Sequence, residues 1–400
     1  MFRKAIAFIS AILLLSSFAC TSTYRREGKL DSKEMLDYCI EKTKMEINEL
    51  TDTDSLPRNI LQGQTEWNKV GIRDWCSGFW PGILWYVYEA SGDTAVLANA
   101  RKFTEPLQGV LDFPVADHDL GFMLYCSFGN GYRLTKDSTY RAVLLTAADS
   151  LATLFNPKVG TILSWPAMRG KMGWPHNTII DNMINLELLF WASKNGGSRD
   201  LYDMAVEHAE TCMTTLVRPD YSIYHVAVFD TVDGHFIKGV THQGYSDSSM
   251  WARGQGWGIY GYTMCYRETG NEEFLTMAKK LTDKFLERLP EEGIPYWDFD
   301  DPAIPDSPKD ASAAAVAASG MLELSTFIKD EQLKAKYKDA AVALLVRLSS
   351  DDYHAGDHNE AMLMHSTGHH PNGTEIDASI IYADYYYLEA LIRLRKFYQK

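Results

Sequence analysis

Pairs of amphipathic segments recur along the chain, and a short polar turn joins the two members of each pair. One apolar segment ends at a turn containing Gly, Asn, Asp or Lys, and the next has apolar residues three or four positions apart. This spacing predicts helical hairpins. The turns lie at residues 89–93, 133–137, 191–197, 268–271 and 328–330, with an opening helix at 32–50 and a closing helix at 385–397.

Hairpins that repeat every roughly 45–70 residues must bury their apolar faces against one another, so they stack or close into a ring. A ring is favoured because the spacing is irregular and long inserts rich in Trp, Gly, Pro and His separate the hairpins. Such inserts would gather at one end as a binding mouth. We therefore predict an all-α (α/α)6 barrel, a six-hairpin toroid, as the single domain at residues 35–400. Alternating polar and apolar residues at 220–240 predict a small β-hairpin at its rim.

The composition excludes several classes of protein. Hydrophobic residues make up 46% of the 400 residues, which is enough for a large core and argues against disorder. The formal net charge of −14 disfavours nucleic acid and anionic membranes as partners. The same charge would repel long anionic polymers. An anionic substrate would therefore be short and would need a cationic group inside a pocket.

The N-terminal residues have the pattern of an export signal. Two basic residues precede an apolar run at residues 5–15 that is too short to span a bilayer, and small residues precede Cys20. We expect a signal peptide at 1–19 and a tether at 20–34. The exported protein would be periplasmic or anchored to a bacterial membrane by a lipid on Cys20, with plain cleavage after Ala19 as the alternative. The other five cysteines include no CxxC pair and are expected to be buried thiols.

Aromatic residues are concentrated in the long inserts. For any single Trp, core packing is the simpler interpretation. Clusters of aromatic residues in Gly- and Pro-rich loops are, however, typical of surfaces on which sugar rings stack. The residues concerned are Trp75, Phe79, Trp80, Trp165, Trp174, Trp251, Trp257 and Trp297.

Two aspartates begin otherwise apolar helices. Asp119 follows His118, and Asp181 opens the segment 181–186. An aspartate in such a position often only caps the helix, because its carboxylate accepts the free backbone N–H groups. Two carboxylates that face one barrel mouth would instead suit glycosidic chemistry. Burial and mutual repulsion would then raise the pKa of one of them and make it a proton donor.

Arg253 lies between Trp251 and Trp257, a setting that suits bidentate recognition of a carboxylate. The alternative is a structural ion pair with an aspartate such as Asp247. Five of the eleven His lie at residues 354–370, and two pairs among them have the i,i+4 spacing of a helical metal site. Gly and Pro in this stretch predict a loop instead, so we expect neither a metal nor another cofactor.

These segments together resemble glycoside hydrolase family 88, the unsaturated glucuronyl hydrolases, over about residues 35–395. The blocks that carry the resemblance follow the family's order and lie at residues 73–85, 118–123, 178–186, 241–257 and 382–391. The resemblance implies an (α/α)6 barrel without a metal, with Asp181 as general acid/base and Asp119 as second catalytic carboxylate. It also implies sugar-binding roles for Trp75, Phe79, His118, His225, Gln243, Arg253 and Trp257.

The family's substrates are short unsaturated uronyl oligosaccharides released by polysaccharide lyases. Their terminal uronate contains a C4=C5 vinyl ether, and one carboxyl group can protonate C4 and then assist water at C5. We expect Asp181 to do this, while Asp119 orients hydroxyls and keeps Asp181 partly protonated, and Arg253 binds the uronate carboxylate. The alternatives are an unsaturated rhamnogalacturonyl hydrolase acting on pectin fragments, a conventional two-carboxylate glycosidase, and a non-catalytic glycan-binding surface lipoprotein.

Overall fold

The computed structural model describes residues 30–398, which are mostly helical. The predicted signal peptide, Cys20 and most of the tether lie outside the described residues. The α-helices are α1 (Ser32–Glu49), α2 (Phe79–Ser91), α3 (Thr94–Thr104), α4 (Asn130–Thr135), α5 (Ser138–Ala152), α6 (Met168–Lys171), α7 (Asn182–Lys194), α8 (Arg199–Thr215), α9 (Ala252–Thr269), α10 (Glu272–Arg288), α11 (Ala311–Phe327), α12 (Glu331–Leu348) and α13 (Ile381–Tyr398). A π-helix at Gly121–Gly129 runs into α4, and 3₁₀ helices lie at Glu105–Asp112 and His370–Asn372.

Alternate helices form an inner and an outer ring. The inner ring contains α2, the π-helix with α4, α7, α9, α11 and α13, and it closes where α13 packs against α2. The outer ring contains α1, α3, α5, α8, α10 and α12, each packed against an inner neighbour. This arrangement is the (α/α)6 barrel that the sequence predicts.

The two ends of the barrel differ because all inner helices run in one direction and all outer helices in the other. Turns from an inner to an outer helix are short, as at residues 92–93 between α2 and α3. Connections from an outer to an inner helix are long, as at residues 216–251 between α8 and α9. The long inserts therefore gather where the inner helices begin, as predicted. We call this end the mouth.

Polar side chains cap the outer helices. In each case the side chain accepts a backbone N–H of the first turn and so satisfies a donor that the helix leaves free. The capping residues are Asp31, Asp93, Asp137, Ser198, Asn271 and Asp330.

Short strands occupy the inserts. In the described part of the chain they are β1 (Leu56–Ile60), β2 (Asn68–Val70), β3 (Phe155–Asn156), β4 (Thr161–Ile162), β5 (His176–Ile179), β6 (Val226–Phe229), β7 (Phe236–Val240) and β8 (Ser379–Ile380). The predicted rim hairpin is confirmed as antiparallel β6 and β7. The sequence did not indicate β5, which pairs with the other edge of β6, because all four of its residues are buried and show no alternation. β1 pairs with both β2 and β8 and so joins the first and last inserts.

An aromatic layer fills the barrel below the mouth. Phe79, Phe122, Trp257 and Tyr386 are almost completely buried. Neighbouring ring centroids lie 5.4–5.6 Å apart, in the tilted and edge-on arrangements that aromatic pairs prefer. The interior at this level is therefore packed rather than open.

An ionic layer lies deeper, towards the end opposite the mouth. Arg267 pairs with Glu187 and Glu323, and Arg393 pairs with Glu323 and Glu389. These side chains come mainly from the later turns of the inner helices. Such pairs offset the cost of burying each charge. The layer closes the barrel at this end.

The predicted thiols are confirmed. Cys39, Cys76, Cys126, Cys212 and Cys265 are buried and free. Burial raises the pKa of each thiol, so each remains protonated and unreactive near neutral pH. Within residues 30–398, every helix is too short or too polar to cross a membrane.

Candidate active site

Asp181 lies between a strand and the start of an inner helix. β5 ends at Ile179, the N–H of Ile180 donates to the carbonyl of His225 at 3.1 Å, and α7 begins at Asn182. Pairing of β5 with β6 thus places Asp181 beside His225 at the mouth. The Oδ2 atom of Asp181 lies 3.7 Å from Nε2 of His225 and has no hydrogen-bond partner among the described residues.

The helix-capping interpretation of Asp181 is wrong. Asp181 occupies the N-cap position of α7, but its side chain makes no capping hydrogen bond within the described chain. Aspartates that do cap in this protein accept backbone N–H groups, as Asp93 does for α3 and Asp310 for α11. A carboxylate that is buried without such bonds is costly to stability. Its position therefore points to a use other than capping.

Asp119 lies two residues before an inner helix of unusual form. The π-helix begins at Gly121 with Leu120 in the N-cap position, so Asp119 is not its cap. The Oδ1 atom of Asp119 lies 3.5 Å from Nε2 of His118, and its backbone N–H donates to Asp117 at 3.1 Å. π-helical turns are rare and are often found at functional sites.

Gly121 allows the π-helix to approach α7 closely. A Cβ atom at this position would lie 2.4 Å from Oδ1 and 2.6 Å from Cα of Asn185, so any residue other than glycine would clash with Asn185. Glycine therefore lets the first turns of the two inner helices meet. As a result Asp119 comes close enough to Asp181 for the charge of Asp181 to raise its pKa.

Burial determines the protonation of both carboxyl groups. It raises the pKa of Asp181 to about 7, while Arg253 and the indole N–H of Trp257 act in the opposite direction. The pKa of Asp119 is raised well above its usual range, first by burial and then by neighbouring carboxylates, beginning with Asp117. Near neutral pH Asp181 is therefore divided between its two forms, and the surroundings of Asp119 favour its protonated form. Burial is the first cause of the raised pKa of Asp181, and the expectation that the charge of Asp119 adds to it stays a prediction.

His225 is a neutral hydrogen-bond donor that faces Asp181. Its Nδ1 accepts the backbone N–H groups of His242 and Gln243, at 3.1 and 3.0 Å, so its ring proton lies on Nε2. Burial lowers the pKa of His225 well below its usual range and that of His118 to about 3. Both rings therefore stay uncharged, and each points Nε2 at a carboxyl group.

Aromatic rings surround this polar centre. Trp75 is partly exposed, and its ring lies 5.8 Å from that of Phe79, which is fully buried like Trp257. The ring of Trp165, which was recognised in the sequence only as one of the insert aromatics, is perpendicular to that of His225, with the centroids 5.6 Å apart. Trp165 and Trp251 thus border His225, with ring centroids 5.6 and 4.5 Å from its ring, and Trp75 packs on Phe79.

The sequence reasoning missed two further histidines at the mouth. The rings of His242 and His369 lie 4.8 Å apart, and His242 is 5.2 Å from Trp165. Burial lowers the pKa of both, that of His369 to about 4. His242 directly precedes Gln243, which was the available signal, whereas His369 was considered only as a metal ligand.

Arg253 is buried in the barrel wall, and its two terminal nitrogens are engaged. Nη1 donates to Oδ2 of Asp310 at 2.7 Å and to the carbonyl of Thr367 at 2.6 Å, and Nη2 donates to the carbonyl of Gly368 at 2.5 Å. These bonds use three of the five guanidinium N–H groups, so Nε–H and the second N–H of Nη2 remain for a side-on bidentate contact with a substrate carboxylate. The structural partner considered from the sequence, Asp247, is not the one observed.

Gln243 reaches the same loop as Arg253. Its Nε2 donates to the carbonyl of Gly368 at 3.4 Å. Glu375, later in this loop, forms an ion pair with Arg58 at 3.0 Å. The predicted binding residues Gln243 and Arg253 therefore hold a loop beside the mouth in addition to any contact with substrate.

The histidine-rich segment is a loop, as predicted, and several of its rings have structural partners. His354 bonds to Tyr387 at 2.9 Å, and His365 bonds to Asp377 at 2.5 Å. Within residues 30–398, one group has the spacing of metal ligands, and it lies at the exposed tip of the β6–β7 hairpin: Asp230, Asp233 and His235.

Fold and site together define a class of protein. A closed ring of six helical hairpins carries two buried carboxyl groups at its mouth, surrounded by neutral imidazoles and aromatic rings. Carboxyl groups with raised pKa in an aromatic-lined pocket are suited to cleavage of a glycosidic bond. The molecule is a glycosidase built on a helical barrel.

Comparison with known proteins narrows this class. The profile of Glycosyl Hydrolase Family 88 matches residues 39–397. An unsaturated glucuronyl hydrolase of Formosa agariphila is 42% identical over 352 residues, which cover 87% of this chain and 86% of that protein. The crystal structure of an unsaturated glucuronyl hydrolase specific for heparin has a TM-score of 0.87 at 42% identity, covering 92% of this chain and 98% of that one. A mutant of the Streptococcus agalactiae enzyme, complexed with dGlcA-GalNAc6S, has a TM-score of 0.79 at 30% identity, covering 94% and 95%. The chain belongs to glycoside hydrolase family 88.

Proposed function

We propose that this enzyme releases the terminal 4,5-unsaturated glucuronic acid from short oligosaccharides that polysaccharide lyases produce. Its family and the names of its relatives support activity on an unsaturated glucuronide. They favour this activity over that of an unsaturated rhamnogalacturonyl hydrolase. The net charge of −14 also fits a short substrate better than a long anionic chain.

The reaction is a hydration of the double bond. A carboxyl group donates a proton to C4, and C5 acquires oxocarbenium character beside the ring oxygen. Water adds to C5 while the carboxylate accepts one proton from it. The C5 hemiketal then opens to a ketone and leaves a hemiacetal at C1. Collapse of this hemiacetal to an aldehyde releases the next sugar, with one water consumed.

We assign the proton transfers to Asp181. The observation that carries this assignment is a buried carboxyl group with a free Oδ2 and a pKa of about 7. Such a group can both donate and accept a proton near neutral pH, as the two steps require. The Nε2–H of His225, 3.7 Å away, is suited to stabilising the carboxylate after its proton has left.

Asp119 has a different role in this proposal. In the protonated form, which burial and the neighbouring carboxylates favour, it can donate a hydrogen bond to a substrate hydroxyl without repelling the uronate. Arg253 would bind the uronate carboxylate through Nε–H and the second N–H of Nη2, which the bonds to Asp310, Thr367 and Gly368 leave unused. The remaining residues proposed to contact the sugar are Trp75, Phe79, His118, His225, Gln243 and Trp257.

The test follows the absorbance of the conjugated double bond during incubation with lyase-generated disaccharides. We expect the absorbance to fall with glucuronyl disaccharides of heparin or chondroitin type, while saturated disaccharides of the same linkage are not cleaved. Cleavage of both forms would indicate a conventional glycosidase. Turnover of pectin fragments alone would favour the rhamnogalacturonyl alternative, and binding without turnover would favour a glycan-binding protein.

We also propose that the protein is exported and anchored through Cys20. The support is the basic and apolar pattern that precedes this cysteine. Expression of the full chain in a bacterium fed a radiolabelled fatty acid should label the protein, and Cys20→Ser should abolish the labelling. An unlabelled, periplasmic wild-type protein would instead favour plain cleavage after Ala19.

A further inference from the structure

Asn185, in the first turn of α7, approaches His118 from the side opposite Asp119. Its Oδ1 accepts the backbone N–H of Phe122 at 2.9 Å, and its Nδ2 lies 3.4 Å from Nδ1 of His118. If the amide were turned over, Nδ2 would face the N–H of Phe122 and two donors would oppose each other. The bond to Phe122 therefore fixes the orientation of the amide.

This orientation determines where His118 carries its proton. The Nδ2 group of Asn185 can only donate, so Nδ1 of His118 must be an acceptor and the ring proton must lie on Nε2. On that side, Nε2 is 3.5 Å from Oδ1 of Asp119. Asn182 and Asn185 both belong to the helix that Asp181 precedes.

We propose that Asn185 is a positioning residue that selects the Nε2–H tautomer of His118, so that this ring presents a donor to Asp119 and to a substrate hydroxyl beside it. Its kinetic consequence rests on the proposed function, whereas the tautomer is a property of the free protein. His225 has the same arrangement at Asp181, with two backbone N–H groups in the place of Asn185. Each carboxyl group thus faces the Nε2–H of a neutral imidazole. In each ring, a donor to Nδ1 on the opposite side fixes this tautomer.

Nitrogen NMR of the free enzyme labelled with ¹⁵N-histidine tests the tautomer directly. The signals of His118 and His225 are assigned from their loss in His118→Asn and His225→Asn. In the wild type we expect both rings to carry the proton on Nε2. Asn185→Asp replaces the donor by an acceptor, so His118 should gain a proton on Nδ1 while His225 does not change.

Asn130→Asp is the matched control. Asn130 is also buried, with 8% of its surface exposed against 0% for Asn185, but it lies on α4, where it bonds to Tyr385 and Arg133. This variant should leave both histidine spectra and turnover as in the wild type. Asn185→Asp should lower kcat/KM on an unsaturated disaccharide by about tenfold or more, the effect of one hydrogen bond to a charged or catalytic group.

A wild-type His118 with its proton on Nδ1 would overturn the proposal whatever the activity. So would an Asn185→Asp protein in which His118 keeps its Nε2–H tautomer. If Asn185→Asp does not fold, Asn185→Ala removes the donor without adding charge and should yield a mixture of tautomers at His118. The expected tautomers together with no turnover of any unsaturated disaccharide would support the positioning role and count against the proposed function.

Discussion

Replacing Asp181 by Asn should remove activity and stabilise the fold at the same time. The amide keeps the size of the side chain but has no carboxylic proton to give to C4. General acid–base catalysis is typically worth about 10²–10⁴ in rate, so kcat should fall by at least that factor. In the wild type, activity should decline as the pH rises through about 7, because the protonated carboxyl group is the form that begins the reaction.

The effect on stability follows from the raised pKa. An aspartate ordinarily titrates near 3.8, and in the folded protein Asp181 titrates at about 7. Between these values the folded state holds a proton that the unfolded state has lost. The stability present below about pH 4 is therefore lost as the pH rises through about 7. The two pKa values differ by about three, which corresponds to about 4 kcal/mol at 1.36 kcal/mol per unit.

Asp181→Asn should escape this loss, because an amide does not titrate. The free energy of unfolding, measured in urea at pH 4 and pH 8, should differ little between the variant and the wild type at pH 4. At pH 8 it should favour the variant by up to about 4 kcal/mol. The control is Asp330→Asn, the same substitution at a true helix cap, where Asn serves about as well as Asp. Near-normal turnover by Asp181→Asn, or a stability difference that does not change with pH, would refute the reasoning.

Three further outcomes are expected. Asp119→Asn should lower kcat/KM but leave the decline in activity near pH 7 in place, because burial is the largest cause of the raised pKa of Asp181; displacement by a full pH unit would contradict this. Arg253→Ala should destabilise the fold by about 3–5 kcal/mol in a urea titration, because Asp310 is left buried without its cation. Adding Asp310→Asn should recover part of that loss, and an unchanged single variant would show that the pair does not matter. Dialysis against a chelator should leave the rate unchanged, since the cluster with metal-ligand spacing in residues 30–398 lies at the tip of an exposed hairpin; a loss restored by zinc would disprove this.

The barrel could be predicted because its signals are local. Each hairpin is marked by its own apolar spacing and polar turn, and repetition of that unit implies closure of the ring. Asp119 and Asp181 were recognisable because each begins an otherwise apolar helix. These features need no knowledge of which distant segments meet.

Other parts of the site depend on contacts that local patterns do not record. Arg253 finds its partner in Asp310, 57 residues away, rather than in the nearby Asp247. The role of Asn185 depends on a π-helix from another hairpin, and nothing in the spacing around Gly121 distinguishes that helix from an α-helix. β5 is buried on both faces, so it lacks the alternation by which a strand is recognised.

The aromatic and ionic layers below the mouth also affect how the enzyme works in a mixture of many oligosaccharides and released sugars. Phe122 and Trp257 block the interior, and the charges around Arg267 close the far end, so substrate and product share one entrance. Each cleaved sugar must diffuse out the way it came before another chain end can enter. The enzyme therefore cannot move processively along a chain, and every turnover requires a new binding event. As the released sugar accumulates, it should compete with fresh substrate for the same opening.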